Sequence, residues 1–222
     1  MTKLYKTHLF DLDGTLTDPQ VGITNSIQYA LTRSGITEKD KKGLVKFIGP
    51  PLLESFCKYY SFSESEGRKA VDIFREYYAE SGIYENKIYE GVEGLLATLH
   101  SRGCVLILAT SKATIYAQKI LEHFGIAQYF DQIVGSNFDL TRAAKFEIIR
   151  DVLHEIPQRE LESCVMIGDH MDDINGAREN GIDSVAVAYG YGSEEDLVRL
   201  QPTYVVHTVQ ELRVLLLGSA VD

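Results

Sequence analysis

The sequence predicts an α/β fold, a doubly wound parallel sheet interrupted after its first strand by an all-helical insertion. Three observations carry this prediction. Continuous apolar runs at 104–109 and 164–167 have the character of strands buried on both faces. Amphipathic stretches, with apolar residues three and four apart, alternate with such runs through the C-terminal two thirds. Between residues 19 and 86 there is helical periodicity and no good strand.

Taken in order, residues 7–10 form the first strand and lead into Asp11-Leu12-Asp13-Gly14-Thr15. After Asp18-Pro19 the period changes, and Ile23, Ile27, Ala30 and Leu31 share one face of a helix closed by Gly35. A second helix is expected over 37–47, ended by Gly49-Pro50-Pro51, and a third over 52–60. Ser63 and Glu66 have capping-box spacing ahead of Ala70, Ile73, Phe74, Tyr77 and Tyr78, the two tyrosines being read as packing residues. Val92, Leu95, Leu96 and Leu99 mark a helix that ends near Gly103. The 104–109 strand stops at Thr110-Ser111-Lys112, and a helix through Ile120, Leu121 and Phe124 stops at Gly125. A weak strand covers 132–134, and Phe146, Ile149, Val152 and Leu153 mark the next helix. The 164–167 strand ends at Gly168-Asp169, before a helix over 173–180 closed by Gly181. Strands at 184–188 and 204–207 and a helix at 209–216 complete the chain. The expected division is a core of 1–18 and 87–222 with a helical domain of 19–86, the crossings lying at Asp18-Pro19 and near 83–90.

Composition narrows the function. The chain has 222 residues, of which 45% are hydrophobic, enough for a sizeable core. A net charge of −10 weighs against nucleic acid or an anionic membrane as the main partner. Cys57, Cys104 and Cys164 are few, odd in number and widely spaced, which fits reduced thiols better than a disulfide framework. The N-terminus lacks an apolar signal segment, and no run approaches the ~18 apolar residues of a membrane span. A cytoplasmic protein is expected.

Four features fall at or just beyond predicted strand ends, or at the start of a following helix. They are Asp11 with Asp13, Thr110 with Ser111, Lys145, and Gly168-Asp169 with Asp173. In open α/β sheets, ligands bind beyond the carboxyl ends of the strands near the switch in strand order. Carboxylates such as Asp11 and Asp169 are hard oxygen ligands and suit Mg²⁺. Thr110 can donate a hydrogen bond to a phosphoryl oxygen, and Lys145 supplies a point charge. Lys112 and Arg142 are rivals for that cationic role. One acid can act as nucleophile and another as proton shuttle. His170, among three aspartates, invites a metal reading that the hard-oxygen set disfavours, and Asp172 suits a helix N-terminus.

These residues resemble the haloacid dehalogenase-like hydrolase superfamily. Asp11-Leu12-Asp13-Gly14-Thr15 matches its first motif, Thr110 the second, Lys145 the third, and Gly168-Asp169-His170-Met171-Asp172-Asp173 the fourth. Order and spacing agree over essentially the whole chain, and the 19–86 insertion sits where the superfamily places a C1 cap. The nearest branch is that of the phosphoglycolate phosphatases, although Phe146 follows Lys145 where proline is commoner. The resemblance implies a Rossmann-like core and a Mg²⁺-dependent phosphatase acting on a small phosphorylated metabolite. It implies that Asp11 becomes an aspartyl phosphate and that Asp13 protonates the leaving oxygen and then activates water. Thr110, Ser111 and Lys145 would bind phosphate. Mg²⁺ would be held by Asp11, the backbone carbonyl of Asp13, and Asp169, with Asp173 supporting the metal through water or orienting Lys145.

Other functions share these motifs. They are 5′-nucleotidase specificity, phosphoryl transfer of the β-phosphoglucomutase type, and phosphonate cleavage with a cap lysine such as Lys46. A phosphate-binding regulator without turnover is a further alternative, against which an intact Asp13 argues. Asp13 also separates the chain from the dehalogenases, which lack an acid there.

Overall fold

The computed structural model describes residues 3–218. In chain order the elements begin with β1 (Thr7–Phe10), β2 (Thr17–Asp18), α1 (Gln20–Arg33), a 3-10 helix (Lys41–Phe47), α2 (Leu52–Tyr60) and α3 (Glu64–Tyr77). A π-helical turn (Tyr78–Gly82), β3 (Lys87–Ile88), α4 (Val92–Ser101), β4 (Val105–Ala113), α5 (Thr114–His123) and β5 (Gln132–Ser136) follow. The last part comprises α6 (Lys145–His154), β6 (Cys164–Gly168), α7 (Met171–Glu179), β7 (Asp183–Val187), α8 (Glu194–Arg199), β8 (Tyr204–Val206) and α9 (Val209–Leu217).

Six strands form one parallel sheet in the order β5-β4-β1-β6-β7-β8. β1 is buried throughout, and its side chains alternate between the two faces. Phe10 packs into a cluster with Leu95 and Leu99 of α4, Ile120 of α5 and Leu212 of α9. Leu9 packs on the opposite face with Ile149 and Val152 of α6 and Ala177 of α7. The apolar runs of β4 and β6 divide in the same way, as expected of strands covered by helices on both sides. Among the described residues no helix is long and apolar enough to cross a membrane, and the three cysteines are free thiols.

The helical insertion joins the first of these clusters through Ile27, Phe47, Phe56 and Phe74. Its third helix begins at the expected capping box, with Ser63 and Glu66 satisfying each other's backbone amides. Three local features depart from the sequence reading. Only Lys41–Phe47 of the expected 37–47 helix is helical, and it is a 3-10 segment whose start is capped by the Asp40 side chain. β2 and β3 pair antiparallel as a two-stranded ribbon where the chain enters and leaves the insertion, a pairing too short to show periodicity. After α3 the helix widens, with Ile83 N donating to Tyr78 O five residues back at 2.8 Å.

That wide turn is held close to α1 by two glycines. A Cβ on Gly22 would lie 1.9 Å from the carbonyl oxygen of Gly82, and Gly22 N donates to Glu85 O at 3.0 Å. The backbones therefore touch.

His8, on the Phe10 face of β1, is fully buried, and both its ring nitrogens lack partners. Burial pushes its pKa from 6.5 down to about 4. The folded state thus keeps His8 neutral where the unfolded chain would bind a proton. Its contribution is present above pH 6.5 and is lost as pH falls through the window from 6.5 to about 4. At about 1.4 kcal/mol per pH unit, the loss amounts to roughly 3 kcal/mol at most. Urea unfolding of wild type and His8→Leu across this window should show the wild type losing stability faster. Parallel curves would mean that His8 does not carry this limb.

Candidate active site

Strand register brings the expected residues to one edge. Phe10 lies level with Leu108 of β4 and Ile167 of β6, so Asp11 follows beside Ala109 and Gly168. Thr110 and Asp169 are each one residue further along their own strands. Asp11 N still donates to Ile167 O at 2.9 Å, after which the chain turns away at Gly14. Gly14 has φ +87°, and a Cβ there would lie 2.1 Å from Asp169 Oδ2, so glycine is required twice over.

Lys145, the first residue of α6, reaches back into this edge. Its Nζ lies 2.8 Å from Asp11 Oδ1 and 2.8 Å from Asp173 Oδ1, and donates to Ala109 O at 3.0 Å. Both carboxylate contacts are at ion-pair distance but off the ideal hydrogen-bond direction. Burial disfavours the ammonium charge, yet Asp11 and Asp173 outweigh it and hold the lysine above its ordinary pKa. The residue is 5% exposed, so it is a buried, charged group and no ordinary surface lysine.

Carboxylate oxygens of Asp11, Asp169 and Asp173 lie within 4.8 Å of one another. Asp169 is fixed by Thr15 Oγ1, which donates to its Oδ1 at 3.1 Å, and by Tyr191 N, which donates to its Oδ2 at 2.8 Å. Burial, then the nearby charges of Asp11 and Asp173, push its pKa up to about 7. Asp173 rises to about 6, chiefly through burial, and also accepts from His170 N at 3.0 Å. Four enclosed carboxylates, Asp11, Asp13, Asp169 and Asp173, face two ammonium groups, Lys112 and Lys145, a formal excess of two negative charges. Hard oxygen donors with that excess fit a divalent cation such as Mg²⁺.

Asp13 and Asp11 take different partners although only one residue separates them. Asp13 Oδ2 lies 2.6 Å from Lys112 Nζ, while Asp13 Oδ1 is buried without a partner. Burial raises the Asp13 pKa, with Lys112 opposing that rise. Lys112 in turn donates to Tyr78 Oη at 2.7 Å. Tyr78 is therefore more than the packing residue that its helical position suggests. Asp13, Ser111 and Lys112 share a pocket with Ile23, Phe47, Phe74 and Tyr116, between the insertion and the core. Thr110 is buried in the bulged end of β4, and its Oγ1 accepts from Lys112 N at 3.3 Å.

Other candidates go elsewhere. Arg142 pairs with Asp151 at 2.9 Å and donates to Gly135 O at 2.8 Å, leaving the cationic positions to Lys145 and Lys112. His170 caps α7 and pairs with Asp172 at 3.3 Å, outside the carboxylate group. Lys46 lies 4.3 Å from the Tyr59 ring centroid, in a groove that Asp11 and Asp13 do not line. The loop Tyr189-Gly190-Tyr191-Gly192 has a part that sequence reasoning missed. A Cβ on Gly190 would lie 2.3 Å from Asp169 Cβ, and one on Gly192 would lie 1.9 Å from Asp169 O. Paired glycines directly after a buried strand were the available signal.

Residues 8–187 match the haloacid dehalogenase-like hydrolase family. The chain is 46% identical to a 5′-nucleotidase of Pseudomonas aeruginosa over 94% of each chain. It is 38% identical to the tyrosine-protein kinase PtkA of Mycobacterium tuberculosis, over 92% of this chain and 70% of that one. A crystal structure of a predicted phosphatase from Clostridium acetobutylicum superposes with a TM-score of 0.90 at 43% identity, over 95% of this chain and 97% of the other.

The packing around Asp169 makes a direct prediction. Gly190→Ala should displace that carboxylate and weaken Mg²⁺ binding roughly ten- to a hundredfold, as read by calorimetric titration. Gly94→Ala, where a Cβ meets nothing within 4 Å, is the control and should bind as wild type does.

Proposed function

The chain belongs to the haloacid dehalogenase-like hydrolase family and is a phosphatase of that family; from this premise we propose that it is a Mg²⁺-dependent nucleoside 5′-monophosphate phosphatase working through an aspartyl phosphate on Asp11. The observation that carries the reading is the placement of Asp11 against Lys145 and of Asp13 against Lys112 at one sheet edge. Nucleophile and acid–base residue are thereby given separate partners and separate tasks.

Lys145, Thr110 and Ser111 bind the phosphoryl oxygens. Asp11 attacks phosphorus, its oxygen–phosphorus bond forming as the bond to the leaving oxygen breaks, and Asp13 gives that oxygen a proton. Water then attacks the phosphorylated Asp11, Asp13 takes the water's proton, and free phosphate leaves with Asp11 restored. Mg²⁺, held by Asp11, Asp169 and the Asp13 backbone carbonyl with Asp173 alongside, would neutralise the phosphate and let an anionic carboxylate approach it. We assign 1–18 and 87–222 to the catalytic core and 19–86 to a cap that excludes water from the reaction.

Two observations favour a nucleoside as leaving group over glycolate. The cavity beside Asp13 is lined largely by apolar and aromatic side chains, which a base and sugar can cover and a glycolate cannot. The 46% identical relative is named a 5′-nucleotidase. A panel of nucleoside monophosphates, phosphoglycolate and glucose 1-phosphate, read by released phosphate, should give a kcat/KM at least about tenfold higher for a nucleotide. A preference for phosphoglycolate would overturn the substrate assignment. Isomerised sugar phosphate or a phosphorylated protein acceptor, in place of free phosphate, would overturn hydrolysis. Chelation should abolish turnover and Mg²⁺ should restore it.

The two acids should also fail differently. Asp11→Asn should form no phosphoenzyme. Asp13→Asn should lose ~10²–10⁴ in turnover, yet still be phosphorylated by an activated aryl phosphate and then hydrolyse slowly. Rapid quench with peptide mass analysis reads both outcomes; added phosphate mass at Asp13 in the wild type would reverse the assignment.

A further inference from the structure

Lys112 and Tyr78 are enclosed polar groups to which the reaction above gives no task, and they join the insertion to Asp13. Tyr78 comes from the π-helical turn, Lys112 from β4, and Asp13 from the turn after β1. Lys112 Nζ lies 2.6 Å from Asp13 Oδ2 and 2.7 Å from Tyr78 Oη, with the Tyr78 ring centroid at 4.7 Å. The ring itself is locked. It stacks on Phe74 at 5.1 Å, meets Tyr116 edge-on at 5.3 Å, and is 1% exposed.

A lysine ammonium on its own is a poor positioning device, because a four-carbon stem leaves it free to turn. Two fixed acceptors remove that freedom. With Lys112 held by Tyr78, Asp13 Oδ2 has a fixed donor, and Oδ1 is the buried oxygen left without a partner. A neutral Asp13 that accepts from Lys112 through Oδ2 carries its proton on Oδ1. An ionised Asp13 in the same pose receives a proton on Oδ1. One atom in one place can then serve both halves of the reaction.

We propose that Tyr78 and Lys112 are positioning residues for Asp13, with the tyrosine fixing the lysine and the lysine fixing the carboxyl group. The acid–base residue is thus set in its working pose only while the helical insertion sits on the core. The assignment rests on the phosphatase reading. In the step it assists, the proton on Asp13 Oδ1 passes to the leaving oxygen as the phosphorus–oxygen bond breaks and the Asp11–phosphorus bond forms. In the second step Oδ1 takes a proton from the attacking water as the Asp11–phosphorus bond breaks.

Tyr78→Phe removes the hydroxyl and keeps the ring in its packing. Lys112→Met removes the ammonium and keeps most of the stem. Single-turnover phosphoenzyme formation would be measured with a nucleoside monophosphate, whose leaving oxygen needs a proton, and with p-nitrophenyl phosphate, whose leaving group does not. Tyr78→Phe should slow the nucleotide reaction roughly three- to thirtyfold at unchanged substrate affinity, and the nitrophenyl reaction less than about twofold. Lys112→Met should cost more, and adding Tyr78→Phe to it should cost nothing further, since both act along one chain of contacts. A full-rate Tyr78→Phe, equal losses on both esters, or multiplying losses in the double variant would overturn the proposal. If Lys112→Met does not fold, by circular dichroism and thermal melting, the leaving-group test on Tyr78→Phe decides alone. A wild-type chain that neither ester phosphorylates would bring down the phosphatase reading, and the positioning role with it.

Discussion

The structure depends on gathering four carboxylates at one sheet edge, enclosed from solvent, against two lysines. Like charges this close raise each other's pKa and would push the edge apart if nothing compensated them. Lys145 meets part of that demand by sitting between Asp11 and Asp173. Lys112 meets another part at Asp13. The remaining excess of negative charge is one that a divalent cation can neutralise. A packing defect in an ordinary core is here the working feature of the site.

Such a cluster also constrains the backbone around it. Gly14, Gly168 and Gly190 stand where any Cβ would strike a site carboxylate, so the main chain itself walls the acids. Backbone amides then do what side chains do elsewhere, and the Tyr191 amide holds Asp169 in place. The tyrosines of this region extend the support outward. Tyr189 donates to Thr15 O at 2.9 Å, and the Tyr191 hydroxyl reaches Asp18 in the short ribbon that leads into the insertion. Entry to the helical segment and the Asp169 wall are thus one hydrogen-bonded unit.

The insertion enters the site at the end of α3. Tyr78, still in helical geometry at the end of α3, meets Lys112, and the π turn that follows it is pressed onto α1 at Gly22 and Gly82. Wide turns of this kind recur at functional sites. The same region supplies the apolar surface of the cavity beside Asp13. The wall of that cavity and the hydroxyl that meets Lys112 therefore come from one piece of chain.

Sequence alone determined the order of the main-sheet strands and most of the helices, because buried strands and amphipathic helices write their periods locally. It also placed Asp11, Thr110 and Asp169 at one edge, since residues at the carboxyl ends of adjacent parallel strands lie side by side, whereas Lys145 and Asp173 reach Asp11 from helices. Only the tertiary structure decided how those groups are shared out. That Asp11 takes Lys145 and Asp13 takes Lys112 depends on where α6 and the end of β4 bring the two lysines. Lys112 looked like a rival to Lys145, and Tyr78 like one more apolar position on a helix. Their contact joins residues 34 apart on separate elements, a pairing that local periodicity does not record. The loop at Gly190 and Gly192 offers only an ambiguous signal, because a glycine needed for closeness to a distant carboxylate reads the same as one needed for a turn. Local periodicity is a property of neighbours along the chain, whereas hydrogen-bond pairing in a buried charge cluster is settled by angles between elements that the chain brings together only on folding.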